Sequence, residues 1–250
     1  MFKKKHKTLL LLLVTILVYQ CQPPQKDETQ TESSSGETGQ IIELEPELLP
    51  TLAEKIKRDK ELDSLYALID EGILKDTEVS DELLREIDQR MVGGWGDSNF
   101  SDSVSASSFL PAQGEHTYVP KNAYDFDIQT AWVEGKEDFG IRESISFHFR
   151  EFRAEEPLTS VTIYNGYHRD AKSWEQNSRV KALSVLVNGE PIAMLNLRDT
   201  MQGQKFGLRV APQGDNPIQI TFEIVDVYPG AKWKDTAITQ IIFDGEWQGI

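Results

Sequence analysis

Apolar residues recur at two different periods along the chain, and the period changes near residue 103. From Glu47 to Lys75, the residues Leu52, Ile56, Leu62, Leu65, Leu68 and Ile69 follow a spacing of three and four with one skip at Lys60, which predicts a helix. Gly72 interrupts the pattern. A second, shorter helix is predicted from Ser80 to Met91, with Ser80 as N-cap and Leu83, Leu84 and Ile87 as its apolar face. Both stripes are narrow, so the pair reads as a helical hairpin, a docking helix or a partly ordered stalk, the stalk being the simplest. Gly93–Asp97 and the serine-rich stretch to Ser108 read as a linker.

Beyond residue 103 the period becomes two. Ile145, Phe147 and Phe149 share one face of Ser144–Phe149. Val161 and Ile163 do so in Leu158–Tyr164, and Leu183, Val185 and Val187 in Val180–Asn188. Asn188-Gly189 is a tight hairpin turn, with Pro191–Leu197 as the partner strand. Phe206–Val210, Pro217–Val227 and Ala237–Phe243 complete the set. Short strands separated by turn chemistry predict a mainly β fold, an all-β sandwich over residues 103–250.

The N-terminus follows neither pattern. Lys3, Lys4, Lys5 and Lys7 precede an apolar run of eleven residues, Leu9–Tyr19. A spanning helix needs ~20 residues, so the run is too short to cross a bilayer and has the layout of a secretory signal peptide. The single cysteine, Cys21, follows directly. The arrangement resembles a bacterial lipoprotein signal over residues 1–20, with Cys21 as the lipidated residue; the alternative is an ordinary signal peptide with a spare cysteine. Residues 21–45 hold Pro23, Pro24, Ser33–Ser35 and Gly36 with few apolar side chains, the composition of a disordered tether. Within it, Gln25-Lys26-Asp27-Glu28 resembles the acidic export signal of surface lipoproteins. The expected location is the bacterial envelope, at the outer membrane or cell surface.

The charge sharpens this division. Residues 22–102 carry 21 acidic and 8 basic side chains, against 20 and 14 in residues 103–250. A formal net charge of −15 is the wrong sign for nucleic acid, which is excluded as a partner. One cysteine excludes an internal disulfide framework and a thiolate zinc cluster.

Specific residues in the β half resemble a known family. Asn122-Ala-Tyr-Asp125-Phe-Asp127-Ile-Gln-Thr130-Ala-Trp132-Val-Glu134-Gly135 looks like the first loop of a discoidin-type, galactose-binding-like domain, and Ala106–Pro111 precedes it as the first strand. Asn165-Gly166-Tyr167, Asn177–Lys181 and Val227–Ile238 follow in order. Together they are similar to the glycan-binding, translocation-type domain found beside bacterial NAD glycohydrolases. The resemblance covers residues 103–250, whereas residues 46–102, the helical stalk and linker, match no known pattern. It implies an eight-stranded jelly-roll sandwich that binds carbohydrate, no catalysis, no required cofactor and often a structural Ca²⁺. Asp125, Asp127 and Thr130 are the ligand candidates, with Gln240 where relatives usually supply a glutamate. The alternative is that these acids cap a turn.

For the glycan, the resemblance and the residue types select Asn165, Tyr167, Trp174, Asn177, Arg179, Trp233, Lys234 and Asp235. Ring faces stack on sugar C–H groups, while amide and charged side chains take hydroxyls. Such a site suits a neutral or weakly anionic saccharide. Trp132 is expected in the core, and Arg179 either faces ligand or pairs with a buried acid. The four histidines, His6, His116, His148 and His168, show no metal-ligand spacing, and no nucleophile or phosphate-loop motif occurs. The expected function is therefore a non-catalytic glycan-binding module on a lipid anchor in the membrane. A protein-interaction module is the alternative and a hydrolase the third reading. The helical segment offers a surface for an envelope protein partner.

Overall fold

The computed structural model describes residues 41–91, 101–150, 156–211 and 217–246. The signal run, Cys21, the tether through residue 40 and the Gly93–Asp97 linker lie outside the described residues. In chain order the strands are β1 (Ile42–Leu44), β2 (Glu47–Thr51), β3 (Ser103–Ala106), β4 (Trp132–Val133), β5 (Ser144–Phe149) and β6 (Leu158–Asn165). They continue as β7 (Ser178–Val187), β8 (Glu190–Asn196), β9 (Gln202–Val210), β10 (Ile218–Tyr228) and β11 (Thr236–Gly245). The α-helices are α1 (Leu52–Asp70), α2 (Asp81–Met91) and α3 (Ala171–Gln176).

The strands make two leaves of a β-sandwich. One leaf runs β3-β5-β10-β7-β8-β1 and the other β2-β9-β6-β11, with β4 also on β11. The leaves are hydrogen-bonded to each other where the start of β11 lies parallel to the start of β7, pairing Thr236 with Ser178 and Ala237 with Arg179. The period-two positions fill the space between them. Ile145, Phe147, Phe149, Val161, Ile163, Leu183, Val185, Ile220, Phe222 and Ile224 all lie in one buried cluster. Phe243 joins Phe147 and Phe149 edge to face, with centroids 4.9 and 5.4 Å apart. The Asn188-Gly189 turn has both residues at positive φ, as a two-residue hairpin with right-twisted strands requires.

The sandwich starts earlier than the period change at residue 103. Ile42–Leu44, read as tether, runs parallel to β8, and Glu47–Thr51, read as the start of a helix, runs antiparallel to β9. The apolar spacing of Leu48, Leu49 and Leu52 fits a helix, but Pro50 lacks the N–H that a helix interior needs and is tolerated on an edge strand. The helix begins at Leu52, where Thr51 and Glu54 form a reciprocal capping box. Ten residues thus cover an edge of each leaf, with Pro46 buried at the crossing.

Helices α1 and α2 pack on each other through Leu62, Leu65, Leu74 and Ile87 and are linked by the Arg58–Glu86 ion pair at 2.6 Å. Helix α1 also reaches the outer face of β6. There Tyr164 is buried against Gly203, whose missing Cβ makes room for the ring, and burial together with nearby Asp59 pushes its phenol up to about 12.

Registers fix a common loop end of the sandwich. β6 and β10 finish there, and β5, β7 and β11 start there. The segments 134–143, 166–177 and 229–235 therefore converge at this end.

Candidate functional site

The structure separates the eight expected glycan residues into a buried set and an exposed set. Asn165 is fully buried. Its Nδ2 donates to the Val180 carbonyl at 2.7 Å and its Oδ1 accepts the Val180 N–H at 2.9 Å, so it tapes β6 to β7 across the join between the leaves. Tyr167 is buried against Tyr118 edge to face and donates its hydroxyl to the Gln129 carbonyl. Both belong to the packing beneath the loops rather than to a ligand surface.

Trp174 is half-buried. Its Nε1 donates to the Asn165 carbonyl at 2.8 Å, and the ring lies against Gly166, where any side chain would collide with it. The Arg179 guanidinium covers the ring at 4.4 Å from its centroid. Arg179 is itself buried and holds Asp199 through two nitrogens, at 2.7 and 3.0 Å, while donating to the Asn177 carbonyl. Of its two expected roles, the structure gives an ion pair, but with an exposed acid rather than a buried one. Asn177 caps α3 by donating to the Ser173 carbonyl. These three side chains hold the 166–178 segment in shape and spend their donors on the protein.

His168 completes this buried network. Its N–H donates to Thr239 Oγ1, its Nε2 lies 2.9 Å from the Asn165 carbonyl, and its Nδ1 has no partner. Burial outweighs the hydrogen bond and pulls its pKa from the ordinary value down to about 4. The folded state therefore keeps His168 neutral, while the unfolded chain takes up a proton near 6.5. Stability is complete above pH ~6.5 and falls as pH drops toward 4, by roughly 3 kcal/mol in total. Urea unfolding of His168→Asn against the parent should show this slope in the parent and lack it in the variant.

Trp233, Lys234 and Asp235 lie on the other converging segment. Trp233 leaves 46% of its surface exposed, and Lys234 is exposed beside it, its Nζ 5.9 Å from the Phe139 ring centroid. Asp235 is half-buried, and burial pushes its carboxyl above the usual range. Lys232, absent from the expected set, places its Nζ 4.2 Å from the Trp233 ring centroid. Its position next to Trp233 in the sequence was the available signal. The loop carrying these residues is fixed at its backbone. Ala231 N–H donates to Glu175 O at 2.9 Å, Trp233 N–H to Gln176 O at 2.8 Å, and Ser178 Oγ donates to Trp233 O at 3.1 Å. Gly230 packs so close to Gln176 and Asn177 that a Cβ would overlap their backbone.

A buried acid that sequence reasoning passed over frames the facing loop. Glu134 accepts the Lys136 N–H at 2.7 Å and the Thr236 N–H at 3.2 Å, and burial raises its pKa. Gly140, at positive φ, fits against its side chain, and the loop between them carries Phe139. Phe109 and Ile141 stand exposed at the same end.

The expected calcium residues are close together but differently engaged. Asp125 accepts the Asp127 N–H and the Thr130 hydroxyl, one on each carboxylate oxygen, and Asp127 accepts the Gln129 N–H. Gln240 is fully buried and accepts the Phe126 N–H at 2.8 Å, fixing a residue at φ +59°. The loop is closed by its own hydrogen bonds. Among the described residues no group of three or more His, Cys, Asp or Glu is placed to hold a metal, and Ca²⁺ needs six to eight oxygens. In this arrangement Asp125 and Asp127 cap the turn.

No curated protein matches the chain. Among solved structures, the CBM32-1 and CBM32-2 domains of Clostridium perfringens ZmpB align at 10% identity and TM-score 0.43, over 58% of this chain and 34% of that one. The same two domains in complex with GalNAc align at 9% identity and TM-score 0.44, over 61% and 36%. A family 35 carbohydrate binding module from an environmental isolate aligns at 13% identity and TM-score 0.33, over 58% and 90%. This chain thus spans about a third of the ZmpB chains. Residues 95–244, more than half of the sequence, match the NAD glycohydrolase translocation F5/8 type C domain, and the chain belongs to that family.

Proposed function

We propose that the chain is a non-catalytic glycan-binding protein whose ligand surface is the loop end of the sandwich, centred on Trp233. One observation carries this reading. A large indole is left half-exposed on a loop whose backbone is hydrogen-bonded on both sides of it, so the ring is presented without needing to be ordered on binding. Sugar C–H faces stack on such a ring, and the neighbouring lysines supply donors for oxygen atoms. Family membership supports the fold, and the resemblance it rests on implies carbohydrate. Each hydrogen bond exchanged with water nets only ~0.5–1.5 kcal/mol, so a single shallow site works in the millimolar to micromolar range.

A glycan array on residues 41–250, followed by titration of the best binder, tests the reading. Trp233→Ala should reduce binding at least tenfold while the unfolding midpoint stays within the ±0.5 kcal/mol of an exposed substitution. Equal binding by parent and variant would place the ligand elsewhere.

Delivery to the envelope is part of the same proposal and rests on the sequence: a cationic, apolar run too short to span, followed at once by Cys21, the one thiol. Two or more acyl chains hold a protein on a bilayer stably. Cys21→Ala should shift the protein from the membrane pellet to the soluble fraction; a variant that stays in the pellet with unchanged mobility would leave Cys21 without that role.

A further inference from the structure

We infer that the Trp233 surface takes a saccharide residue bearing a carboxylate, with the sugar ring on the indole and the carboxylate held between Lys232 and Lys234. The inference rests on the glycan-binding reading above and narrows it. Most of the expected donors at this end are already engaged. Arg179 is committed to Asp199 and to backbone carbonyls, and Asn165 and Asn177 are committed to Val180 and Ser173. On the segment that carries the indole, two exposed ammonium groups remain, Lys232 over the Trp233 ring and Lys234 toward the Phe139 ring of the facing loop. Among the described residues neither Lys232 nor Lys234 is ion-paired; they face the Trp233 and Phe139 rings respectively. A lysine is a pure donor, with no acceptor for the hydrogen of a neutral sugar hydroxyl. Two lysines without an ion pair, one on each side of Trp233 in the sequence, therefore match an acceptor-only group, and a carboxylate is the acceptor-only group that sugars most simply carry.

Lys232 Nζ already stands 4.2 Å from the indole centroid, so a ring stacked on the free part of Trp233 brings its substituents toward that ammonium. Asp235, the one carboxyl adjoining this set in sequence, is half-buried, its carbonyl accepts the Ser178 N–H at 3.0 Å, and its charge acts on the buried Glu134 of the facing loop. At a net −15, the chain repels polyanions at long range, whereas a single carboxylate pays little of that repulsion within a Debye length of two cations. The fit is to isolated acidic residues in a glycan, such as a terminal hexuronic or sialic acid, rather than to a densely sulfated or phosphorylated polymer.

Matched pairs of methyl glycosides test the inference on residues 41–250: glucuronide against glucoside, galacturonide against galactoside, and the sialoside against its carboxyl-reduced counterpart. The readouts are calorimetric affinity and the shift of the Trp233 indole N–H resonance, identified by its loss in Trp233→Phe. At least one acid member should bind ten or more times tighter than its neutral partner. That advantage should shrink severalfold between 20 and 200 mM salt, and Lys232→Gln with Lys234→Gln should bring the pair to equality without moving the unfolding midpoint. Acid and neutral members binding equally, with the Trp233 resonance shifting for both, would overturn the acidic class and leave the glycan surface in place. No shift of that resonance with any glycoside would overturn this inference, and the array result then decides whether the glycan reading falls with it. Sodium acetate producing the same shift at the same concentration as the acid glycosides would reduce the site to a general anion contact and overturn the saccharide assignment.

Discussion

Replacing Trp132 by alanine is expected to unfold the sandwich or leave it barely stable. The side chain has no exposed surface and sits in the main core cluster, on the short strand that pairs with Ile238 of β11. Its Nε1 donates to the Ser108 carbonyl at 3.0 Å, so the ring also fixes the segment leading away from β3. Truncating a buried tryptophan costs about 3–5 kcal/mol, and leaving the Ser108 carbonyl without its partner adds ~1 kcal/mol or more. Against a total of roughly 5–15 kcal/mol this is most of the margin for a chain at the lower end. Trp132→Phe keeps most of the volume, loses the hydrogen bond and should retain the fold. Urea midpoints for the two variants check the order. Trp132→Ala within 1 kcal/mol of the parent would mean that the pocket collapses around the loss. The contrast with Trp233→Ala, harmless to stability, is the clearest separation between packing and presentation in the molecule.

Removing residues 41–102 should have an effect of similar size through a different route. Strands β1 and β2 cover the edges of β8 and β9, Leu52 is almost fully buried, Leu44 packs on the main core, and Pro46 is buried at the crossing. Burying one large aliphatic side chain contributes about 1.5–3 kcal/mol, so one fully and several partly buried residues amount to roughly 5 kcal/mol. The deletion also bares two strand edges that can pair with another copy. A chain starting at residue 103, where the period-two pattern begins, should unfold at lower urea and elute partly as aggregate in gel filtration. A chain starting at residue 41 should be monodisperse. Equal midpoints for the two would show that the edge strands dock without stabilising.

Most of the sandwich was legible because its inner strands alternate strictly: Ile145 to Phe149, Leu183 to Val187 and Ile218 to Ile224 each show the period of two and lie in the core. The edges were not. Three-residue β1 is too short to show a period, and β2 carries adjacent leucines that fit a helix as well. The first half of β9, Gln202–Lys205, is polar with a glycine. Its pattern is hidden because Gln204 turns inward, fully buried, to exchange hydrogen bonds with the Arg198 backbone.

The loop end was legible as a region and not as a surface. Asn165, Tyr167, Trp174 and Arg179 are residue types that bind sugar, and they are equally the types that tie loops together from beneath. Composition does not separate the two uses, since both require amides, rings and guanidinium groups near strand ends. Geometry does. Gly166 at positive φ turns the chain so that Trp174 folds over it, and Arg179 closes the stack. Trp233 meets the exposed Lys232 ammonium and stays nearly half-exposed, because the 229–235 segment lies over α3 and is pinned through its backbone rather than its side chains.

The way the chain joins the sandwich also sets how the domain would bear load. β1 rises parallel to β8 toward the loop end, and β2 continues in the same sense against β9, so Ile42 lies at the opposite end from Trp233. A pull on residue 41 against a ligand held at Trp233 therefore acts along the strand axes. In that direction the β1 and β2 ladders slide as sets, and their hydrogen bonds, which lie across the strands, must yield together rather than one at a time. A chain attached at the loop end would instead peel its first strand bond by bond. The short N-terminal clasp makes the domain a shear joint, suited to holding on while its two ends are drawn apart.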